Sequence, residues 1–208
     1  MRKSQIGTSV MISDSNSGAS RLSAPVIPLN GLKLWVTPAS IQPAGLNVNI
    51  TQWADVSGSG NHLFPVGADG QPLTGTGING LRSAVFDGTD LTLATASPII
   101  SGATDKTMFF VYQNTFTSYV GRIGGTNGDD VTTGSWFFIN TVLGGQEPYL
   151  SGLNADVIGT LTQDLNPHLV SAANDSSSPH QYLYFDGVLV QNGAFSYNTA
   201  VNPFSVSY

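Results

Sequence analysis

Residues 53 to 62 read Trp53-Ala54-Asp55-Val56-Ser57-Gly58-Ser59-Gly60-Asn61-His62. An aromatic side chain leads into a carboxylate, and the chain then turns through Ser, Gly and Asn. Gly58 and Gly60 tolerate the left-handed backbone region that other residues avoid, while Asp55, Ser57 and Asn61 can bond their own backbone. The stretch therefore marks a tight corner at the end of an apolar strand. It is echoed at Val85-Phe86-Asp87-Gly88 and at Leu183-Tyr184-Phe185-Asp186-Gly187, where an apolar run again enters an Asp-Gly turn. Three such corners predict an antiparallel, all-β, two-sheet sandwich.

The segments between the corners agree. Leu32, Leu34 and Val36 alternate with Lys33 and Trp35, which predicts a first strand over 31–36. Residues 48–53 and 63–66 also have strand character. The run Thr107-Met108-Phe109-Phe110-Val111-Tyr112 is continuous and apolar, which predicts a strand buried on both faces. Further strands are expected over 119–123, 135–140, 149–151, 157–161, 168–173, 181–185 and 188–190. Phe204, Val206 and Tyr208 alternate as a last one. No ten-residue helical window survives the Gly, Pro and β-branched residues. Residues 1–29 lack periodicity, and Pro25 and Pro28 impose an extended approach, so they read as a flexible N-terminal arm before a domain spanning 30–208.

Composition narrows what such a domain can do. Of the 208 residues, 10% are charged and 40% hydrophobic, there are 24 glycines, and solubility falls largely to hydroxyls and amides. Seven basic residues against thirteen acidic ones give a net charge of −6, and no basic cluster exists beyond Arg2-Lys3, so nucleic acid is not an expected partner. No apolar run approaches a membrane span. The absence of Cys removes disulfides, thiolate metal sites and Cys nucleophiles together. Residues 4–10 are too polar to form the apolar region of a secretory leader.

The order of these motifs resembles the bacterial and phage surface-protein branch of the laminin-G-like, concanavalin A-like jelly-roll family. The matching residues are Gly31 to Trp35, Trp53 to His62, Asn79-Gly80 leading to Val85-Phe86-Asp87-Gly88, Phe109 to Tyr112, and Tyr184-Phe185-Asp186-Gly187, together covering residues 31 to 208. The resemblance implies a mostly non-catalytic, lectin-like or adhesive module. It also implies a closing C-terminal segment beyond Tyr208, so the expectation is either that the natural protein is longer or that another chain supplies the edge partner. Phe204, Val206 and Tyr208 are therefore expected to form an open edge that pairs with another segment or subunit, and Val10, Met11 and Ile12 to anchor the arm.

Catalysis finds little support in the residues. A glycosidase needs two carboxyl groups flanking the scissile bond, yet the chain has one Glu, Glu147, and Asp129-Asp130 would point to opposite sides of a strand. No Gly-x-Ser-x-Gly elbow is present, His62 is expected to bond backbone, His168 to begin a strand, and His180 to lie in a solvated loop. Gly75-Thr76-Gly77-Ile78-Asn79-Gly80 matches a dinucleotide fingerprint in letters, but a strand follows it where that fold needs a helix. The expected protein is not an enzyme.

Binding is the remaining class. Calcium wants carboxylate, amide and carbonyl oxygens, and Asp55, Asn61, Asp87 and Asp186 are the positions where the resemblance would place it. Capping of their own turns is the expected role of the same residues. For sugar, Trp136, Tyr119 and Tyr149 are the candidate stacking groups, with Asn127, Asp129 and Asp130 as hydroxyl partners, while Trp53 is expected in the core. The expected function is a structural or adhesive component of a phage virion, with partners among virion proteins or copies of itself and location at the virion surface. The alternative is a glycan-binding module of a bacterial surface or secreted protein.

Overall fold

The computed structural model describes residues 4–6, 31–67, 70–87, 91–102, 104–114, 121–126, 137–141, 148–151, 157–158, 164–178, 180–194 and 201–207. Apart from two three-residue 3-10 turns, Pro38–Ser40 and Ile78–Gly80, its regular elements are strands, and all their pairings are antiparallel. None of the described helices is long and apolar enough to cross a membrane.

The strands form two sheets. One has seven strands, in spatial order β15 (Val188–Gly193), β14 (His180–Phe185), β13 (Pro167–Asp175), β8 (Lys106–Gln113), β1 (Ser4–Ile6), β6 (Arg82–Phe86) and β5 (Leu73–Thr76). The other has nine, in the order β12 (Val157–Ile158), β11 (Pro148–Ser151), β10 (Phe137–Thr141), β9 (Gly121–Thr126), β16 (Phe204–Ser207), β7 (Thr92–Thr95), β4 (Leu63–Val66), β3 (Gln52–Trp53) and β2 (Ile41–Gln42). The inner faces meet in one core. Met108, Phe110, Tyr112, Val170, Ala172, Leu183 and Phe185 come from the first sheet, and Trp53, Leu63, Leu93, Ile123, Phe204 and Val206 from the second. The protein is an all-β sandwich.

A contact across the sandwich fixes how the sheets sit. The rings of Phe110 and Phe204 lie parallel, their planes 2° apart and their centroids 6.1 Å apart. Phe110 fits because residue 124 is Gly: a Cβ there would fall 2.6 Å from its ring. At the rim of the core the first sheet changes character. Lys106, Asn174 and Gln181 are direct neighbours across β8, β13 and β14, and all three are buried. Lys106 Nζ donates to the Gly102 carbonyl at 2.5 Å, and Asn174 Nδ2 to the Thr104 carbonyl at 2.8 Å. A row of polar groups thus closes the apolar core by bonding the loop that leads into β8.

Several expectations need correction. Strand β8 is buried on one face, not two, since Met108, Phe110 and Tyr112 alternate with Phe109, which is 59% exposed. Residues 31–36 form no ladder, because side chains of the 55–61 corner take up their backbone groups. Asp55 accepts from Trp35 N (2.9 Å), while Ser59 Oγ donates to the Leu32 carbonyl (3.0 Å) and Asn61 Nδ2 to the Lys33 carbonyl (2.6 Å). Of residues 48–53, only Gln52–Trp53 pairs as a strand, with an isolated bridge from Asn49 to Leu73.

The open C-terminal edge is also overturned. Strand β16 lies between β7 and β9, with Ser205 opposite both Ala94 and Gly125. Phe204 and Val206 are buried in the core, Val206 with 2% exposure, so they are not a free assembly edge. Tyr208 lies outside the described residues. Within the expected arm, Ser4–Ile6 is itself a strand of the sandwich, between β6 and β8. Val10, Met11 and Ile12 lie outside the described residues.

Candidate functional site

The corner at 55–61 is built around one carboxylate. Asp55 Oδ1 accepts from the amides of Trp35 (2.9 Å) and Ser57 (2.8 Å), and Oδ2 from Ser57 Oγ (2.8 Å) and the amide of Asn61 (3.0 Å). Burial pushes its pKa up, but these hydrogen bonds outweigh that and hold it below the ordinary carboxylate value. Asp55 N donates to His62 Nδ1 at 3.0 Å, so the imidazole serves a backbone amide, as expected. Ser57 bonds to Asp55 and not to His62, so no acid–base relay reaches the hydroxyl. Trp53, fully buried, donates through Nε1 to the Thr37 carbonyl (2.8 Å).

The remaining expected metal positions sit elsewhere. In the hairpin between β14 and β15, Asp186 and Gly187 have φ of 50° and 80°, the left-handed pair that a two-residue type I′ turn requires. Asp186 accepts from Leu169 N (2.9 Å) and contacts His168 Nδ1 (2.8 Å), while His168 Nε2 meets Asp164 (3.0 Å). Asp87 follows β6, in the other half of the same sheet. Among the described residues, no group of three or more His, Asp or Glu side chains is placed to hold a metal ion.

The expected sugar contacts Trp136, Tyr119, Asn127, Asp129 and Asp130 lie outside the described residues. Tyr149 is on β11, opposite Asn140 and Ile158, and only its backbone is described.

A different set of aromatics is brought together on the outer face of the seven-stranded sheet. The pleat of β13 puts Leu169, Ser171, Ala173 and Asp175 on the outer face, with Ser171 buried there beneath its neighbours, while Val170, Ala172 and Asn174 face the core. On one side of them β8 presents Thr107, Phe109 and Val111, and on the other β14 presents His180, Tyr182 and Tyr184. Register sets the rows. Phe109, Ser171, Tyr184 and Leu189 form one, and Thr107, Ala173, Tyr182 and Asn192 the next. Asp175 and His180 pair in the row beyond.

The small side chains Ser171 and Ala173 therefore form the floor of a lane. Phe109 stands on one wall, and Tyr182 and Tyr184 on the other. Neighbouring strands lie about 4.8 Å apart, so Phe109 and Tyr184 spring from backbones about 10 Å apart, with outward residues repeating about every 7 Å along the lane. His180, expected in a solvated loop, is instead the first residue of β14, and its ring stacks on Tyr182 with centroids 5.9 Å apart and planes 21° apart. Phe109, Leu169 and Leu189 are exposed, while Tyr182, Tyr184 and His180 are half-buried.

Chemically, the lane offers apolar ring surface beside hydroxyls and amides. It contains no nucleophile–base pair among the described side chains. The sequence held a signal for it: Phe109 and Val111, Tyr182 and Tyr184, and Ser171 and Ala173 each stand two apart within strands. Reading 107–112 as buried on both faces hid the first pair.

No protein-family model and no curated protein sequence matches the chain. Among solved structures, the Ruminococcus gnavus IT-sialidase CBM40 bound to alpha2,3 sialyllactose is similar at 12% identity, over 55% of this chain and 76% of that one, with a TM-score of 0.38. A likeness at this level leaves the fold to be argued from the strands themselves.

Proposed function

We propose that the sandwich is a non-catalytic glycan-binding module, with the outer lane of β8, β13 and β14 as its binding face. The supporting observation is the placing of Phe109 opposite Tyr182 and Tyr184 across the small residues Ser171 and Ala173. Sugar rings carry apolar C–H faces and polar rims. Aromatic side chains cover the former, and tyrosine hydroxyls and the exposed Thr107 and Asn192 meet the latter. An exposed Phe beside half-exposed Tyr residues costs little when truncated but supplies rigid contact area when a ligand arrives. The virion setting expected from the sequence drew on the resemblance to surface modules, on the arm and on an open C-terminal edge; that edge is internal here, and the proposal concerns the ligand and not the carrier of the domain.

An oligosaccharide array followed by calorimetry tests this reading. The wild type is expected to bind, and Phe109→Ala or Tyr184→Ala to weaken binding by about tenfold, roughly the contribution of one aromatic contact. Binding that survives both substitutions unchanged would refute the assignment of the face.

A further inference from the structure

The charges around the lane say which glycans it would take. Its two ends are acidic. At one end Asp175 lies on β13 and Asp105 just ahead of β8. Their carboxylates accept from Ser177 and Ser178, and from Ser176, at 2.6 to 3.1 Å. At the other end Asp186 accepts from Leu169 N, and Asp164 accepts from Asn166 N at 2.6 Å. Hydrogen bonds hold Asp105, Asp164 and Asp175 below the ordinary carboxylate value, so all three are charged well below neutral pH.

The basic side chains against them are imidazoles: His168 Nε2 lies 3.0 Å from Asp164 and its Nδ1 2.8 Å from Asp186, and His180 pairs with Asp175 across β13 and β14. Lys106 shares a strand with Phe109 but faces the core, and its Nζ bonds the Gly102 carbonyl. Arg82 spends its guanidinium on the carbonyls of Ala39 and Ile41. Lys33 belongs to the segment bonded to the 55–61 corner.

We infer that the lane selects neutral glycans and discriminates against sialylated, uronic or sulfated ones. This inference rests on the glycan-binding reading of the same face. From Leu169 to Asp175 the lane is about 20 Å long, so an anionic group at its middle lies about 10 Å from the carboxylates at each end. With the imidazolium of His168 offsetting one of the two charges at its end, three Coulomb terms at that distance in water disfavour the anion by about fourfold at 0.01 M salt and by about twofold at 0.15 M. Polar contacts to neutral hydroxyls lack that salt dependence.

The test measures binding of neutral oligosaccharides and their sialylated and sulfated counterparts at both salt concentrations, to the wild type, Tyr184→Ala and Thr107→Lys. Thr107 is exposed beside Phe109, so a lysine there adds a cation without entering the core. Preference for the neutral member, narrowing as salt rises and reduced in Thr107→Lys, is the expected result. Equal or tighter binding of the anionic member, still lost in Tyr184→Ala, overturns the selectivity and leaves the glycan-binding face standing. Failure of every glycan to bind, or binding indifferent to Tyr184→Ala, overturns the underlying reading and the selectivity with it.

Discussion

Replacing Lys106 by Met should remove a specific pH dependence of stability. Lys106 has the parity of Met108, Phe110 and Tyr112 on β8, so its stem packs inward at the rim of the core and leaves the residue 7% exposed. Burial lowers its pKa from 10.5 to about 8. A group with a depressed folded pKa and a cationic acid form binds fewer protons folded than unfolded between those two values. Stability attributable to Lys106 therefore rises with pH from about 8 to about 10.5 and is flat below. At 1.36 kcal/mol per pH unit the full separation corresponds to about 3 kcal/mol, and solvent reaching the rim reduces this to about 1–2 kcal/mol.

Urea unfolding of the wild type and Lys106→Met, at intervals from pH 7 to 10.5, isolates the effect as a difference between two curves. Tyrosines and the other lysines titrate equally in both. The offset between the curves also contains the lost hydrogen bond to Gly102, so the diagnostic is the slope. Parallel curves over that interval would refute the burial argument.

Other substitutions test other joints of the sandwich. Gly124→Ala should cost about 1–3 kcal/mol, because its methyl group enters the ring of Phe110, and Phe110→Leu in the same chain should recover part of the loss in thermal melts. Asp55→Ala should destabilise by about 2–4 kcal/mol, by leaving the amides of Trp35 and Asn61 without their acceptor. Because the folded pKa of Asp55 is depressed, its contribution is present above the unfolded value of 3.8 and is lost as pH falls through the folded one. Asp55→Asn should accordingly flatten the acid limb of the stability curve. Hydrogen exchange should show the paired amides of Phe204–Ser207 protected like those of β13; rapid exchange there would restore the open edge.

Local chemistry made much of the fold legible. The left-handed pair Asp186-Gly187 needs no distant partner to be read as a hairpin turn, and Trp53 is core because an apolar strand precedes its corner. What escaped depends on partners remote in sequence. Thr95 Oγ1 accepts the amide of Phe204 across 109 positions, and nothing near Phe204 announces a strand on each side of it. Residues 31–36 alternate like a strand, but side chains from 55–61 stand where a neighbouring strand would. The outer lane of β8, β13 and β14 escaped for a related reason. Phe109 and Tyr184 belong to different strands, and only the register through Ser171 makes them neighbours.

Amide chemical-shift mapping during titration with a bound neutral oligosaccharide tests the central claim most directly. Perturbations should concentrate at 107–111, 169–175 and 180–184, alternating with the outward-facing residues. Perturbations confined to the nine-stranded sheet, or to the corner at 55–62, would contradict it.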